Sequence, residues 1–320
     1  MKFHFHLILV ATVVTAAMVA DTVLSAECKP SKWGADDEIG SANTITPARV
    51  LHATKLVKRG KTHHLGIVID EDLPAFPPRS LNVTILQPNQ MWGNRPFSNG
   101  MIYNDDIFIG WLGIGSQIDG LGHIGHAHEG KDEFYNCLQG RDIAKTTGMT
   151  KLGIEKIPPL VARGVVLDMA GHFSVKHMKA GQFFTASDVD AVAKKQGVSI
   201  GEGDVVLFHT GWTDYILPAN PKAWVSGEPG MAEDVAVALA KKGVLAVGSD
   251  TWGVDVIPPE KKDRPFQGHI TLIKENGIYM LEVMNTGPLV KDKAWEFLFV
   301  LGPPRLRGTV QTIIDPIAIY

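Results

Sequence analysis

Short apolar runs rich in Val, Ile and Leu alternate along this chain with stretches in which apolar residues recur every three or four positions. Residues 163–169 (RGVVLDM) and 204–209 (DVVLFH) have the first pattern, which is typical of buried strands. A helix that Ser187 caps, and a second helix over residues 231–242 that Gly243 ends, have the other pattern. This alternation predicts an α/β fold with a mixed sheet rather than a β-sandwich.

The same signals predict further elements on both sides of this region. Thr46 is a helix cap with a proline directly after it, so a helix is predicted over residues 48–58. The prolines of residues 70–79 exclude regular structure and predict a stiff loop. Further strands are predicted over residues 64–69, 81–86, 107–114 and 244–248.

Five polar side chains that can bind a metal or move a proton crowd into the glycine-rich apolar stretch WLGIGSQIDGLGHIGHAH. They are Gln117, Asp119, His123, His126 and His128. Burying such groups without partners costs roughly 2 kcal/mol or more each, so something must satisfy them. One interpretation is a loop whose polar groups satisfy one another. The other is an ion site, because Gln117 and Asp119 alternate on one face of an extended segment and the glycines let the backbone bend around a small ligand.

A second group of candidate residues lies in the stretch GHITLIKENGIYMLE. His269 begins an apolar helical segment, Asn276 and Gly277 end it, and a strand over residues 278–281 presents Glu282 at its end. A helix and a strand joined in this way fold back on each other, so His269 and Glu282 are predicted to lie at the same end. The spacing alone fits equally a satisfied histidine and a surface glutamate.

Composition narrows the class of protein. The 320 residues are 45% hydrophobic and 20% charged, which is typical of a globular protein with a sizeable core. The net charge of −3 and the absence of a Lys/Arg block argue against nucleic acid as a partner. No repeat or linker divides the chain, so a single domain is predicted over residues 27–320. The sequence also lacks a serine-hydrolase elbow, a phosphate-binding loop and a dinucleotide fingerprint.

The amino-terminal residues have the organisation of an export signal. Lys2 supplies a positive charge, residues 7–20 form an apolar run, and Ser25 and Ala26 offer a cleavage site. The run is short for a membrane span of roughly 20 residues, which favours a cleaved signal over a membrane anchor. We therefore expect a signal peptide over residues 1–26 and a periplasmic or secreted mature protein, with no stable membrane insertion after the signal is removed.

The two cysteines are Cys28 and Cys137. An oxidising compartment allows them to pair, but Cys28 lies at the start of the mature chain, so the sequence leaves the pairing open. Two cysteines are too few for a zinc–thiolate site.

Together, the two groups of polar residues resemble the metal-dependent cyclase family, which includes bacterial kynurenine formamidases, isatin hydrolases and trans-dienelactone hydrolases. The family hallmark is His-x-Gly-Thr-His-x-Asp-x-x-x-His, and the same frame in this chain runs from Gly113 through Asp119 to His123. His269 and Glu282 match the family's late histidine and glutamate, and the stretches GDVVLFHTGW and VGSDTWGVD are also similar. The resemblance implies a swivelling β/β/α core and hydrolysis of an amide or lactone bond.

Two departures from the hallmark change the expected metal site. Gly113 stands where the family has its first histidine and Gln117 where it has the second, so two nitrogen ligands of a two-metal site are missing. The trans-dienelactone-hydrolase branch is similar to this chain in carrying glutamine there. The resemblance thus implies one divalent ion, Mn²⁺ or Zn²⁺, in an oxygen-rich site. The implied ligands are Gln117, Asp119, His269 and Glu282.

The resemblance also implies how the site works. His123 matches the acid/base position of the family, and a histidine titrates near neutrality, so it is the implied catalytic residue. The substrate is a small molecule, and the residues do not distinguish an aryl formamide from a cyclic amide or a lactone. Trp92 and Trp111 are candidate substrate contacts, although aromatic residues near a motif often serve the core instead. We also expect a homo-oligomer. The alternative that the departures keep open is an exported small-molecule binding protein with a degraded, non-catalytic metal site.

Overall fold

The computed structural model describes residues 28–87 and 97–320. The predicted signal peptide (residues 1–26) and Trp92 lie outside these ranges. In the part of the chain that is described, no helix is both long enough and apolar enough to cross a membrane.

A nine-stranded mixed sheet forms the centre of the protein. The strands of the described residues, in chain order, are β1 (Thr62–His64), β2 (Leu81–Leu86), β3 (Asp105–Gly110), β4 (Gln117–Asp119), β5 (His126–His128), β6 (Lys131–Glu133), β7 (Ala144–Lys145), β8 (Gly148–Met149), β9 (Leu160–Asp168), β10 (Phe183–Phe184), β11 (Val205–His209), β12 (Gly230–Met231), β13 (Ala246–Ser249), β14 (Tyr279–Glu282), β15 (Glu296–Leu301), β16 (Gln311–Ile313) and β17 (Ile317–Ile319). The order across the main sheet is β1-β17-β15-β9-β11-β13-β14-β4-β16. Strands β9, β11, β13 and β14 run parallel, and the outer strands pair antiparallel on both sides of them.

Helices cover the sheet. They are α1 (Pro47–Thr54), α2 (Gly140–Ile143), α3 (Met169–His172), α4 (Ala186–Gln196), α5 (Trp212–Ala219), α6 (Pro221–Ser226), α7 (Glu233–Lys242), α8 (Gln267–His269), which continues as a π-helical segment (Ile270–Glu275), and α9 (Gly287–Asp292), with short 3-10 turns at Gly40–Thr44, Tyr135–Cys137 and Ile154–Lys156. Helix α1 packs on β9 and β15, and α4 packs on β9 and α7. The central strands are buried along their whole length, as layers on both faces require.

The local sequence explains how the longer helices begin and end. Thr185 accepts a hydrogen bond from the Asp188 amide while the Asp188 side chain bonds back to the Thr185 amide, which forms a capping box for α4. Gly197 and Gly243 end α4 and α7 in the left-handed conformation, where a side chain is disfavoured. The observed cap of α4 is therefore Thr185, and the prediction of Ser187 was wrong by two residues.

Other predicted boundaries also need correction. The first helix ends at Thr54 rather than at residue 58, and the predicted helix over residues 231–242 begins at Glu233, because Gly230–Met231 pairs as a strand with Phe183–Phe184. The predicted strand over residues 107–114 is Asp105–Gly110.

The strand predicted over residues 64–69 is wrong beyond His64. From Leu65 onward the backbone amides find irregular partners instead of a strand ladder. Leu65 donates to the Pro316 carbonyl, while the amides of Gly66 and Ile67 donate to the side chains of Asp315 and Ser116.

Strands β2 and β3 pair only with each other among the described residues and form an arm outside the main sheet. Apart from Leu81, which is buried at the base, the arm carries apolar side chains that are exposed. Ile85 on β2 and Ile109 on β3 are examples, and no third strand within residues 28–87 and 97–320 pairs with the arm.

A disulfide joins Cys28 to Cys137, which decides the pairing that the sequence left open. The bond ties the beginning of the described chain to the turn Tyr135–Cys137. Asn136 adds to this junction by donating to the carbonyls of Gly34, Ala35 and Asp37.

Candidate metal centre

Three adjacent strands bring four polar side chains to one face of the sheet. In the antiparallel pairing of β14 with β4, Glu282 lies opposite Gln117, and in the pairing of β16 with β4, Gln311 lies opposite Asp119. Directly opposed residues place their side chains on the same face, and residues two apart on a strand share a face. The register alone therefore clusters Gln117, Asp119, Glu282 and Gln311.

His269 enters this cluster from helix α8. Its Nε2 lies 3.2 Å from Glu282 Oε1 and 3.8 Å from Asp119 Oδ2. Its Nδ1 lies 2.6 Å from Asp255 Oδ2, and the same oxygen accepts the backbone N–H of His269 at 3.1 Å. Asp255 thus fixes the ring so that Nε2 faces the two carboxylates.

The donor set fits a divalent ion. Ligand atoms of Asp119, His269 and Glu282 lie within 4.8 Å of one another, and all three residues are buried. Asp119 Oδ2 is buried with no hydrogen-bond partner among the described residues. A buried carboxylate oxygen without a partner is costly, and a cation between Asp119, His269 and Glu282 would satisfy it. One imidazole nitrogen and carboxylate oxygens suit Mn²⁺ or Zn²⁺.

Gln117 is in contact with both carboxylates of this set. Its Nε2 donates to Glu282 Oε2 at 2.5 Å and to Asp119 Oδ1 at 3.3 Å. In this orientation the amide donates hydrogen bonds to both acids through its nitrogen. The predicted ligand role requires a half-turn of the amide, which exchanges nitrogen and oxygen, and it stays a prediction.

His123 lies beside the cluster rather than inside it. Its Nε2 is 3.9 Å from Asp119 Oδ2, and 20% of its side chain is exposed to the cleft. Burial lowers the pKa of His123, the charge of Asp119 opposes this shift, and His269 and Arg79 add to it. Neutral imidazole can accept a proton, so the location fits the acid/base role that the sequence predicts.

Burial and mutual repulsion also change the titration of the acids. Burial, followed by the charge of Asp119, raises the pKa of Glu282 to about 7, although His269 opposes the shift. For His269, burial opposes the charged form, but hydrogen bonds to Asp255 and Glu282 and their charges raise its pKa well above the usual range. In the metal-free protein the cluster therefore holds protons where an ion would otherwise supply positive charge.

Glu228 lies behind the cluster and is fully buried. Its Oε2 accepts the backbone N–H groups of Trp252 and Gly253, at 2.6 and 3.2 Å, while Oε1 has no partner within the described ranges. Burial, followed by the charge of Glu282, raises the pKa of Glu228 well above its usual range, and Asp255 adds to this.

A cleft of about 210 Å³ opens on His269 and Glu282. Its aromatic wall consists of Phe76, Trp252 and Phe266, with ring centroids 5.6 Å apart for the first pair and 6.3 Å for the second. Arg79 also lines the cleft and donates through Nη1 to the Gly113 carbonyl at 2.6 Å. The cleft therefore combines an apolar wall with one cationic group next to the candidate ligands.

Other predicted residues lie elsewhere. Trp111 is 47% exposed at the base of the arm, where its backbone N–H donates to the Ser80 carbonyl. The predicted substrate contacts of Trp111 and Trp92 stay predictions. His126 and His128 belong to the hairpin of β5 and β6, where their rings stack 5.4 Å apart. Of the five polar residues in the central motif, Gln117, Asp119 and His123 meet at the site.

Sequence reasoning did not find Arg79, Asp255, Gln311 or the aromatic wall. Asp255 lies in the family-like stretch VGSDTWGVD, which is a usable signal because a buried aspartate near a candidate histidine ligand is its natural partner. Nothing near Gln311 in the sequence indicates its contact with Asp119, which lies 192 residues away along the chain.

The mixed sheet and this cluster define an α/β protein with a candidate metal centre. The Cyclase family model matches residues 63–256, more than half of the chain. The chain belongs to the cyclase family, which confirms the resemblance inferred from the sequence. No curated protein matches the chain.

Solved structures of other proteins are similar to this chain in fold. A protein described as a novel cyclase is 28% identical with a TM-score of 0.81, and the match covers 91% of this chain and 100% of that one. Isatin hydrolase A from Labrenzia aggregata is 16% identical with a TM-score of 0.60, over 83% of this chain and 94% of that one. A predicted metal-dependent hydrolase from Bacillus stearothermophilus is 17% identical with a TM-score of 0.52, over 81% of this chain and 97% of that one. The predicted mixed α/β fold is confirmed.

Proposed function

We propose that the protein is a metal-dependent hydrolase that opens an amide or lactone bond of a small, ring-containing substrate. The observation that carries the proposal is the buried Oδ2 of Asp119, which has no hydrogen-bond partner among the residues that the structure describes and faces the imidazoles of His123 and His269 beside an aromatic cleft. Membership of the cyclase family and the similarity to structures named as hydrolases support it.

Asp119, His269 and Glu282 would hold one divalent ion, with Gln117 as the further candidate ligand. Such an ion lowers the pKa of a bound water to about 7 and polarises a carbonyl group. The choice between Mn²⁺ and Zn²⁺ belongs to the proposal, and the oxygen-rich set makes manganese at least as suitable as zinc.

His123 handles the proton of the reaction. Because its pKa is lowered by burial, the ring is neutral at neutral pH and accepts a proton from the attacking water at Nε2. It then returns that proton to the leaving nitrogen of an amide or the leaving oxygen of a lactone. His123 lies beside Asp119 and lines the cleft, so the same ring can accept the proton of the water and return it to the leaving group.

Arg79 and the aromatic wall orient the substrate. A planar ring packs against Phe76, Trp252 and Phe266, which also keeps water away from the reacting bond. The Arg79 guanidinium at the cleft stabilises the negative charge that develops on the carbonyl oxygen and binds the carboxylate of the product.

We also propose that the protein is exported. The Cys28–Cys137 disulfide supports this, since such bonds persist in oxidising compartments. Amino-terminal sequencing of protein collected outside the cytoplasm checks it: a start near Glu27 is expected, and an intact Met1 contradicts it.

A hydrolysis screen tests the function. Protein freed of metal by chelation is assayed on an aryl formamide, a cyclic amide and a lactone, before and after addition of one equivalent of Mn²⁺ or Zn²⁺. We expect turnover of at least one class after metal addition, none before it, and none in Asp119→Ala. Asp204→Asn, which changes a buried aspartate at the opposite end of the parallel strands, is the control and keeps turnover.

The alternative function is a binding protein with a non-catalytic site. The departures at Gly113 and Gln117 favour this binding function. Gly113 has no side chain to offer an ion, and Gln117 Nε2 already donates hydrogen bonds to Glu282 and Asp119. A wild-type chain that retains no metal and turns over none of the three classes, yet binds one of them, supports this function and contradicts the hydrolase.

A further inference from the structure

Gln311 fills the space that a side chain at position 113 would need. A β-carbon built on Gly113 would lie 2.5 Å from Gln311 Oε1, 2.7 Å from its Cδ and 2.8 Å from its Nε2. Contacts this short do not occur in folded proteins, so any residue other than glycine at position 113 displaces the Gln311 amide. The Arg79 guanidinium holds the Gly113 carbonyl and leaves this backbone little freedom to move away.

The Gln311 amide has a defined task in that space. Its Nε2 donates to Asp119 Oδ1 at 2.7 Å, and Gln311 is itself buried. Gln117 donates to the same oxygen at 3.3 Å, so two amide groups face Oδ1 while Oδ2 has no partner in the described part of the chain. The two oxygens of one carboxylate are thus divided between two roles.

We propose that Gln311 is a positioning residue for the metal centre and that Gly113 exists to admit it. The Gln311 amide holds Oδ1 and turns Oδ2 toward His269 and Glu282, so Asp119 offers an ion one oxygen. The Gln311 amide hydrogens at Oδ1 repel a second cation on that side, and the centre takes a single ion. The inference rests on the proposed function in one respect, namely that Asp119 is a ligand.

The reason for this assignment is the geometry of a carboxylate. A ligand carboxylate that is free to rotate binds less well than one whose second oxygen is hydrogen-bonded, and loss of such a supporting bond typically costs about 10- to 100-fold in metal affinity. Gln311 supplies that bond from the directly opposed position of a neighbouring strand, where two side chains on the same face lie close together.

Titration of metal-free protein with Mn²⁺ in a calorimeter tests the inference. We expect one ion per chain in the wild type and an affinity about 10- to 100-fold lower in Gln311→Ala and in Gln311→Met. The methionine keeps the volume and removes the donor, so it separates packing from hydrogen bonding. Gln196→Ala is the matched control: its amide bonds the backbone of Asp168 and Val166, and its loss leaves the affinity unchanged.

Gly113→Ala completes a double-mutant cycle. Alone it lowers the affinity as Gln311→Ala does, because its methyl group displaces the Gln311 amide from Asp119. Added to Gln311→Ala it costs nothing further, because the space is then empty. An unchanged affinity in Gln311→Met, two ions per wild-type chain, or an equal cost of Gly113→Ala in both backgrounds overturns the inference.

A second measurement uses no metal. In thermal unfolding of the chelated protein, the loss of Tm in Asp119→Ala with Gln311→Ala is smaller than the sum of the two single losses, because both remove the same bond. Additive losses overturn the role of Gln311. A wild-type chain that binds no ion overturns the proposed function instead. The thermal-unfolding comparison then still tests whether Gln311 and Asp119 are bonded in the folded protein.

Discussion

Asp255 Oδ2 binds two nitrogens of His269, the ring Nδ1 at 2.6 Å and the backbone N–H at 3.1 Å. The double contact fixes both the backbone and the ring of the same residue. It also keeps a proton on Nδ1 and directs Nε2 at Glu282 and Asp119, so an ion at this place would displace only the Nε2 proton. His269 is therefore oriented as a ligand before any ion binds.

Asp255→Asn tests this preorganisation. An amide in place of the carboxylate weakens the bond to Nδ1 and lowers the basicity of Nε2, so we expect metal affinity to fall about 10- to 100-fold. Calorimetric titration of metal-free protein measures it. Asp204→Asn is the matched control, because it changes a buried aspartate bonded to Arg163 at the other end of the strands. Equal affinity in Asp255→Asn and the wild type contradicts the role.

His123→Ala separates proton transfer from metal binding. We expect the variant to keep one ion per chain and to lose about 10²- to 10⁴-fold in turnover, the usual cost of removing a general base. Metal content and rate are measured on the same sample. His126→Ala, which removes an exposed histidine of the same motif, keeps both. If His123→Ala loses its metal together with its activity, His123 is a ligand and the division of roles is wrong.

Glu228→Gln changes how stability depends on pH. The pKa of Glu228 is raised in the folded state, so the stability that its protonated form contributes is complete below the unfolded pKa of about 4.3 and is lost as the pH rises through the folded pKa. Glutamine keeps an acceptor for the Trp252 and Gly253 amides and carries no charge near Glu282 and Asp255.

We therefore expect metal-free Glu228→Gln to become more stable relative to the wild type as the pH rises above that value, by up to about 1.4 kcal/mol per pH unit. Denaturant unfolding at several pH values between pH 4 and pH 8 measures the difference in the free energy of unfolding between the two proteins. Glu71→Gln, at an exposed position, is the control and shows no such divergence. A constant difference across the range excludes a raised pKa for Glu228.

We expect a divalent ion to stabilise the folded protein through Asp119, His269 and Glu282. An ion that binds the native state alone adds about 2.7 kcal/mol when its free concentration is a hundred times the Kd. We expect the Tm of chelated wild type to rise with added Mn²⁺ and the Tm of Asp119→Ala to stay constant. Scanning calorimetry at several Mn²⁺ concentrations measures both. A parallel rise in the variant means that the ions bind outside this cluster.

The elements that could be predicted are those whose pattern is carried by adjacent residues. The apolar runs of Leu160–Asp168 and Val205–His209 read as buried strands because both of their faces are covered. Gln117 and Asp119 were expected on one face for the same local reason. The strand predicted over residues 64–69 is wrong beyond His64 because its amides have distant partners, such as the Ser116 side chain, which lies 49 residues away and accepts the Ile67 amide.

The parts of the site that could not be predicted depend on strand register. Gln311 reaches Asp119 because β16 and β4 pair with these two residues opposite each other, and nothing near Gln311 in the sequence indicates that register. The aromatic wall comes from Phe76, Trp252 and Phe266 in two loops that are distant in the sequence from the central motif, while the substrate contact of Trp111 stays a prediction. Proximity along the chain is a weak guide when a sheet assembles the site from many segments.

The Cys28–Cys137 bond turns 109 residues of sequence separation into a closed covalent ring. Arg79, the arm, Asp119 and His123 all belong to that ring, whereas His269 and Glu282 belong to the chain outside it. A single peptide-bond cut anywhere between the two cysteines therefore leaves one molecule, which migrates as an intact chain on a gel until a reductant separates the two pieces. A cut between His123 and Cys137 separates Asp119 and His123 from His269 and Glu282 in the polypeptide, yet the disulfide still joins the two pieces.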